Sequence, residues 1–179
     1  MSPKTRLTLL RIFIIIGVVA LTIFLISIRD QIKQLEGYGY PGIFLVSMLA
    51  TSTVIVPLPG VLLTSMLGMA GFNPLLLAVC AGAGAALGEM TGYMVGFSGQ
   101  GVVERSKFYD RVLKWMEKYG SITILVLAVI PNPAFDIVGM VAGVMKMPIP
   151  RFLLFCAAGE IIKYLIFALA GSGLATYIK

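Results

Sequence analysis

The chain has 179 residues, 59% of them apolar and 12% charged, with a mean hydropathy of +0.98. That profile excludes a soluble domain folded around one core and is the profile of an integral membrane protein. The net charge of +6 does not mark a nucleic-acid binder, because the basic residues form no single patch; with no His, and Cys80 and Cys156 both in apolar runs, there is no metal site, disulfide framework or cofactor to argue for.

Lys4, Arg6 and Arg11 precede or open an apolar run that ends near Ile28. About 20 apolar residues are enough to span a bilayer, so residues 1–28 are expected to form an N-terminal transmembrane helix. A cleavable signal peptide is the competing reading. The run is long for one, and Ser27-Ile28-Arg29-Asp30 is not a small-residue cleavage site.

Residues 29–179 read as one membrane domain. Arg29 to Tyr40 is polar, ends in Gly37, Gly39 and Pro41, and predicts a short interfacial helix and a turn. Gly42 to Val56 is apolar but short for a span, and Pro57 and Pro59 stop it; Val61 to Ala70 is shorter still. Apolar pieces of about 10–14 residues suit a re-entrant segment better than two crossings. Gly71-Phe72-Asn73-Pro74 is a turn signal. Leu75 to Phe97 is a full span, with Gly84, Gly88, Gly92 and Gly96 at every fourth residue. That spacing gives one helical face without side chains, against which another helix can pack closely.

Between Gly101 and Gly120 the pattern changes. Phe108, Val112, Trp115, Met116 and Tyr119 share a face, and Arg105, Lys107, Asp110, Arg111, Lys114 and Lys118 fill much of the rest. This predicts an amphipathic helix lying in a membrane interface; a helix that binds a soluble partner is the alternative. Ile122 to Val144 is apolar but broken by Pro131 and Pro133, with Asp136 just beyond. Proline removes a backbone donor, and lipid supplies no water to the carbonyls so freed. Such a break persists only where it is buried in protein or lines a wet cavity. Lys146 to Arg151 reads as a turn, and Phe152 to Tyr177 as the last span.

Two halves, about 29–99 and 101–179, share ordered landmarks. Glu36-Gly37-Tyr38-Gly39 matches Glu117-Lys118-Tyr119-Gly120, and Pro57-Leu58-Pro59 matches Pro131-Asn132-Pro133. Ala70-Gly71 matches Ala142-Gly143, and Gly88-Glu89 with Tyr93 matches Gly159-Glu160 with Tyr164. Each copy reads as interfacial helix, re-entrant broken hairpin and transmembrane helix. One span per copy is an odd number, so consecutive copies face opposite ways across the bilayer, an architecture of transporters. With the N-terminus inside, the inner side receives Lys4, Arg6, Arg11, Arg105, Lys107, Arg111, Lys114, Lys118, Lys146 and Arg151, and the outer side Arg29, Lys33 and Lys179. That is the expected positive-inside bias.

Glu89, Asp136, Glu160 and Lys163 lie within membrane segments, where each charge costs about 2.5–3.5 kcal/mol on insertion scales and faces a cavity or a partner. Glu160 has Lys163 and Tyr164 three and four residues on, so an intrahelical pair is its structural reading. Glu89 and Asp136 have no basic neighbour within a turn and are the first candidates for a substrate or proton path. Asn132 and the backbone groups freed at Pro57, Pro59, Gly60, Pro131 and Pro133 are candidates for holding a polar headgroup.

The prolines followed by Ala-Gly, the run Gly88-Glu89-Met90-Thr91-Gly92-Tyr93-Met94-Val95-Gly96, and Pro131 through Asp136 to Ala142-Gly143 resemble the DedA family and its wider VTT-domain (SNARE-associated Golgi protein) superfamily. The resemblance covers about Gly39 to Gly173. It implies two opposed re-entrant hairpins and lipid transport: phospholipid scrambling in eukaryotic members, and translocation of polyprenyl-phosphate or phospholipid carriers in bacterial ones, with proton coupling through membrane carboxylates. The sequence departs from the family at Val61, Ala128, Ala134 and Phe97, where relatives carry an acidic residue or arginines. The phosphate-clamping arginines are thus absent, and the chain looks more like the VTT branch than a DedA protein proper. Relatives often have a further C-terminal span, and its absence here is the ground for expecting a homodimer that completes the bundle.

The reading is therefore an all-α membrane lipid translocase or scramblase, with membrane lipids and protons as partners and no nucleic acid. The expected location is the bacterial or archaeal cell (inner) membrane, with a cytoplasmic N-terminus. A proton-coupled transporter of small solutes or ions is the alternative. An intramembrane enzyme is not expected, because Ser65 and Ser98 have no adjacent base.

Overall fold

A computed structural model describes residues 36–52, 60–98, 107–131 and 135–178. The expected N-terminal span, the segment 29–35, Arg105, Pro57, Pro59, Asn132, Pro133 and Ala134 lie outside the described residues. Among the described residues the fold is all-helical: α1 (Glu36–Ser52), α2 (Gly60–Met69), α3 (Pro74–Gly88), α4 (Met90–Phe97), α5 (Lys107–Tyr119), α6 (Ile122–Val129), α7 (Phe135–Val144) and α8 (Ile149–Ile178).

The predicted turn before the first long span is present and has a clear cause. Asn73 Oδ1 accepts from the N–H groups of Leu75 (2.9 Å) and Leu76 (3.3 Å), and Pro74 takes the first helical position, where its missing donor is not needed. α3 and α4 run on as nearly one rod: the Glu89 N–H donates to Ala85 O at 3.0 Å and the Tyr93 N–H to Glu89 O at 3.3 Å. The 24 residues from Pro74 to Phe97 make about 36 Å of helix, against a hydrocarbon core of about 30 Å. α8, with 30 residues, is longer. α2 and α7 have 10 residues each and α6 has 8, about 12–15 Å of helix.

The predicted turn at Gly37 to Pro41 is instead the start of α1. The helix is held there by tertiary contact: Tyr40 meets Phe72 edge-on at 5.5 Å, and a β-carbon at Gly39 would strike the same Phe72 ring. Pro41, near the helix start, removes one backbone bond and is tolerated. The predicted second break is present: α6 stops at Val129, and Ile130, restricted by the following Pro131, is extended at φ −83° and ψ 122°.

Close approaches at small residues set the directions of packing. The two long helical segments run antiparallel, with Tyr93 against Phe152 (ring centroids 5.1 Å apart) and Gly82 against the backbone of Ile161. α1 lies parallel to α3, with Phe44 opposite Gly84, and Met48 and Thr51 opposite Gly88. α7 lies parallel to α4, with Asp136 opposite Gly92 and Met140 opposite Gly96. α2 lies parallel to α8, with Gly60 opposite Tyr164 and Gly68 opposite Ala168, and α6 meets α8 where Leu125 and Ala128 face Gly159. The predicted glycine face thus serves two partners, its first half α1 and its second half α7. Thr51 Oγ1 adds a bond across the first of these contacts, donating to Ala85 O at 2.9 Å.

The two ten-residue helices end alike. After α2, the N–H groups of Gly71 and Phe72 donate to Gly68 O (3.1 Å) and Leu67 O (3.2 Å); after α7, those of Lys146 and Met147 donate to Gly143 O (2.9 Å) and Ala142 O (3.0 Å). This is the Schellman pattern. It pairs Gly71 with Lys146, three residues beyond the Gly143 with which the sequence landmarks align it.

Two apolar clusters fill the interior. One gathers Tyr93, Val112, Ile124, Val138, Val141, Phe152 and Cys156; the other gathers Ile43, Leu67, Phe72, Leu77, Tyr164 and Ala168. α5 buries Val112 and Met116 of the predicted face together with Tyr109, which was not predicted, and leaves Trp115 and Tyr119 exposed. Leu75, Val79, Met94, Leu154, Ile166 and Leu169 are exposed around the bundle, an outer surface suited to lipid.

Candidate functional site

Glu89, Asp136, Glu160 and Lys163 come from three separate parts of the chain, and the packing brings them to one level. α1 ends opposite Gly88, α7 begins opposite Gly92, α2 begins opposite Tyr164, and α6 ends near Gly159. These four helix ends therefore meet at the interior of both long segments, where Glu89 and Glu160 sit. Along the chain, Glu160 separates Cys156 of one apolar cluster from Tyr164 of the other, and Glu89 follows the point where α3 passes from one cluster at Ala85 to the other at Ala86 and Tyr93.

Glu89 stands at the α3–α4 junction between two points of close backbone approach. A β-carbon at Gly88 would collide with Thr51 and Met48 of α1, and one at Gly92 would lie 3.1 Å from Asp136 O of α7. Glu89 is 5% exposed, and its Oε2 has no hydrogen-bond partner among the described residues. It lies within electrostatic reach of Asp136, Glu160 and Lys163. Asp136, half-buried, is in the first turn of α7, where the helix dipole favours a carboxylate.

Glu160 is fully buried. Its Oε2 lies 2.6 Å from Lys163 Nζ, and its Oε1 has no hydrogen-bond partner among the described residues. The intrahelical pair expected from the sequence is therefore present. Lys163 Nζ also stands 5.5 Å from the centre of the Tyr164 ring. The result is a layer of three carboxyl groups and one ammonium held between two apolar clusters.

Two tyrosines fasten this layer. Tyr93 OH donates to Met147 O at 2.6 Å, tying the first long segment to the turn after α7. Tyr164 OH reaches the start of α2, where a β-carbon at Gly60 would lie 2.9 Å from it. Each tyrosine follows its glutamate by four residues, so each pair shares a helix face. Fully buried Ser47 and Thr64, which sequence reasoning missed, lie on the same side; Thr64 Oγ1 donates to Gly60 O at 2.8 Å. A lone hydroxyl in an apolar run carries no signal that separates packing from function.

At two positions where the resemblance leads one to expect arginine, the described residues are packed. Ala128 is buried against Gly159, where a β-carbon would lie 2.5 Å from the Ala128 methyl, leaving no room for an arginine; Phe97 stacks on Tyr93 at 6.0 Å.

Two helices long and apolar enough to cross a membrane and an apolar outer surface are consistent with an α-helical membrane protein. The profile of the VTT domain matches residues 56–173, and the chain belongs to that family, the DedA family of membrane proteins. Among curated proteins it is similar to an uncharacterised membrane protein, YbfM, of Bacillus subtilis (strain 168). The two are 28% identical over 156 residues, covering 79% of this chain and 94% of the relative. No solved structure matches the chain significantly.

Proposed function

We propose that the protein is a lipid translocase or scramblase that moves phospholipid or polyprenyl-phosphate lipids between leaflets. The lipid headgroup passes between two opposed re-entrant hairpins, α1–α2 and α6–α7. The supporting observation is the convergence of Glu89, Asp136, Glu160 and Lys163 at the level where the hairpin arms end. α2, α6 and α7, with 8 to 10 residues each, are too short to cross a bilayer, and the 17 residues of α1 make about 26 Å of helix, short of a hydrocarbon core of about 30 Å, which favours hairpins that return to the side they came from. On this reading the two copies are inverted, and the polar layer gives a headgroup partners at membrane depth. Glu89 and Asp136 are the path residues, and Lys163 is the cation available to a phosphate.

The test is reconstitution into liposomes with a headgroup-labelled phospholipid, quenched from outside. The expected result is loss of signal beyond the outer-leaflet share. Loss that stops at that share, as in empty liposomes, defeats the proposal.

The burial of Glu89 and Glu160 favours a second reading, a proton-coupled transporter of small solutes or ions, whose site would be closed to lipid. Proton uptake on an imposed gradient without movement of labelled lipid would select it.

A further inference from the structure

Lys146 is held at φ +52°, the left-handed region, which is unfavourable for any residue with a β-carbon and is where helices commonly end in glycine. The matching turn after α2 has Gly71 in that place, at φ +96°. The fold thus builds the turn once with glycine and once with lysine.

The surroundings of Lys146 are basic. Ser121 Oγ lies 3.9 Å from the sulfur of Met147, which sets the turn beside the C-terminal end of α5. On α5, Lys107, Arg111, Lys114 and Lys118 recur at helical spacing and form one stripe. All four are exposed, as are Lys146 and Arg151. The other end of the bundle has no Lys or Arg among the described residues. The exposed acids Asp110 and Glu117 still leave an excess of basic charge. Because Tyr109, Val112 and Met116 are spent on the protein core, α5 turns the basic stripe, Trp115 and Tyr119 outward. Positive charge on an inner face is accounted for by topology, but topology does not require a lysine at a left-handed position.

We propose that Lys146, the α5 stripe and Arg151 form a docking surface for the headgroups of anionic phospholipids. Aromatic side chains beside the cations suit the depth of the headgroup layer. The inference rests on the membrane reading of the chain and not on lipid movement, so its test reads binding alone.

Trp115 is the single tryptophan and lies on the helix concerned. The full chain is placed in phosphatidylcholine nanodiscs containing either phosphatidylglycerol or phosphatidylcholine with a nitroxide near the headgroup, and quenching of Trp115 is measured. The expected result is preferential quenching by the phosphatidylglycerol. Lys146→Gly is expected to weaken that preference about fivefold, the worth of one basic residue at an anionic surface. Its melting temperature should be equal to that of the parent chain or higher. Lys146→Asn, which also tolerates the left-handed region, should weaken the preference likewise, as should Lys114→Gln with Lys118→Gln. Equal quenching by the two lipids in the parent chain, or an unchanged preference in the Lys146 variants, overturns the proposal. A lower melting temperature for Lys146→Gly would show that the lysine is there for the fold.

Discussion

Glu160 and Lys163 form an ion pair one helical turn apart inside α8, with 2.6 Å between Oε2 and Nζ. The glutamate is fully buried and the lysine side chain is 12% exposed, so neither charge has free access to water. Removing one member of a buried pair leaves the other uncompensated, at a cost of about 3–5 kcal/mol. Lys163→Met is therefore expected to lower thermal stability in detergent severely, and Glu160→Gln with Lys163→Met to recover most of it. A stable Lys163→Met chain would show that Glu160 finds another partner.

The glycine face gives a graded prediction. A β-carbon at Gly96 would collide with Met140 O, and one at Gly88 with Thr51 Oγ1 and Met48 O, whereas at Gly92 the nearest atom, Asp136 O, is 3.1 Å away. Gly96→Ala and Gly88→Ala should reduce the yield of folded protein, measured by size-exclusion of a fluorescent fusion. Gly92→Ala should reduce the yield less than either, while Gly92→Leu should not fold. Equal tolerance of alanine at all three positions would contradict the packing of α4 on α7.

For the path residues, Glu89→Gln and Asp136→Asn keep size and hydrogen-bonding capacity while removing the charge. If both groups serve the passing headgroup, liposome assays should show lipid movement lost in each variant, with elution volume and melting temperature retained. The effect should be larger for Asp136, which follows the helix break and is half-buried, open enough to meet a headgroup. Full activity of the folded double variant would remove both carboxyls from the mechanism.

Topology can be read by an impermeant thiol reagent on single-cysteine chains in a Cys80→Ala, Cys156→Ala background. Lys114→Cys and Lys146→Cys should be labelled from the inner side, because α5 and the α7–α8 turn share one end of the bundle. Lys33→Cys should be labelled from the outer side. Labelling of Lys114→Cys from outside would defeat the inverted arrangement.

Much of the local structure was legible in the sequence. Gly71-Phe72-Asn73-Pro74 announces a turn, Pro131 a helix stop, and the four-residue glycine spacing a face for close packing, because each is a short-range steric or hydrogen-bonding effect. The Glu160–Lys163 pair follows from helical spacing alone. The turn expected at Gly37 to Pro41 did not survive, because contacts with Phe72, distant in sequence, hold the segment helical.

Which shorter helix packs on which long one was decided only by the tertiary structure. Periodicity shows that the glycine face exists but not that Gly88 meets α1 while Gly96 meets α7. Nor could spacing bring Glu89, Asp136 and Glu160 into one layer, since their nearness depends on two antiparallel helices crossing at Gly82 and Ile161. The correspondence between the ends of α2 and α7 follows the same rule. Ala-Gly pairs suggested one alignment, and the hydrogen bonds that close α2 and α7 set another, three residues on, in which Gly71 corresponds to Lys146. Glycine marks the left-handed position after α2, but after α7 a lysine takes it, so there the stop depends on where the helix runs out of packing partners, a property of the folded neighbours.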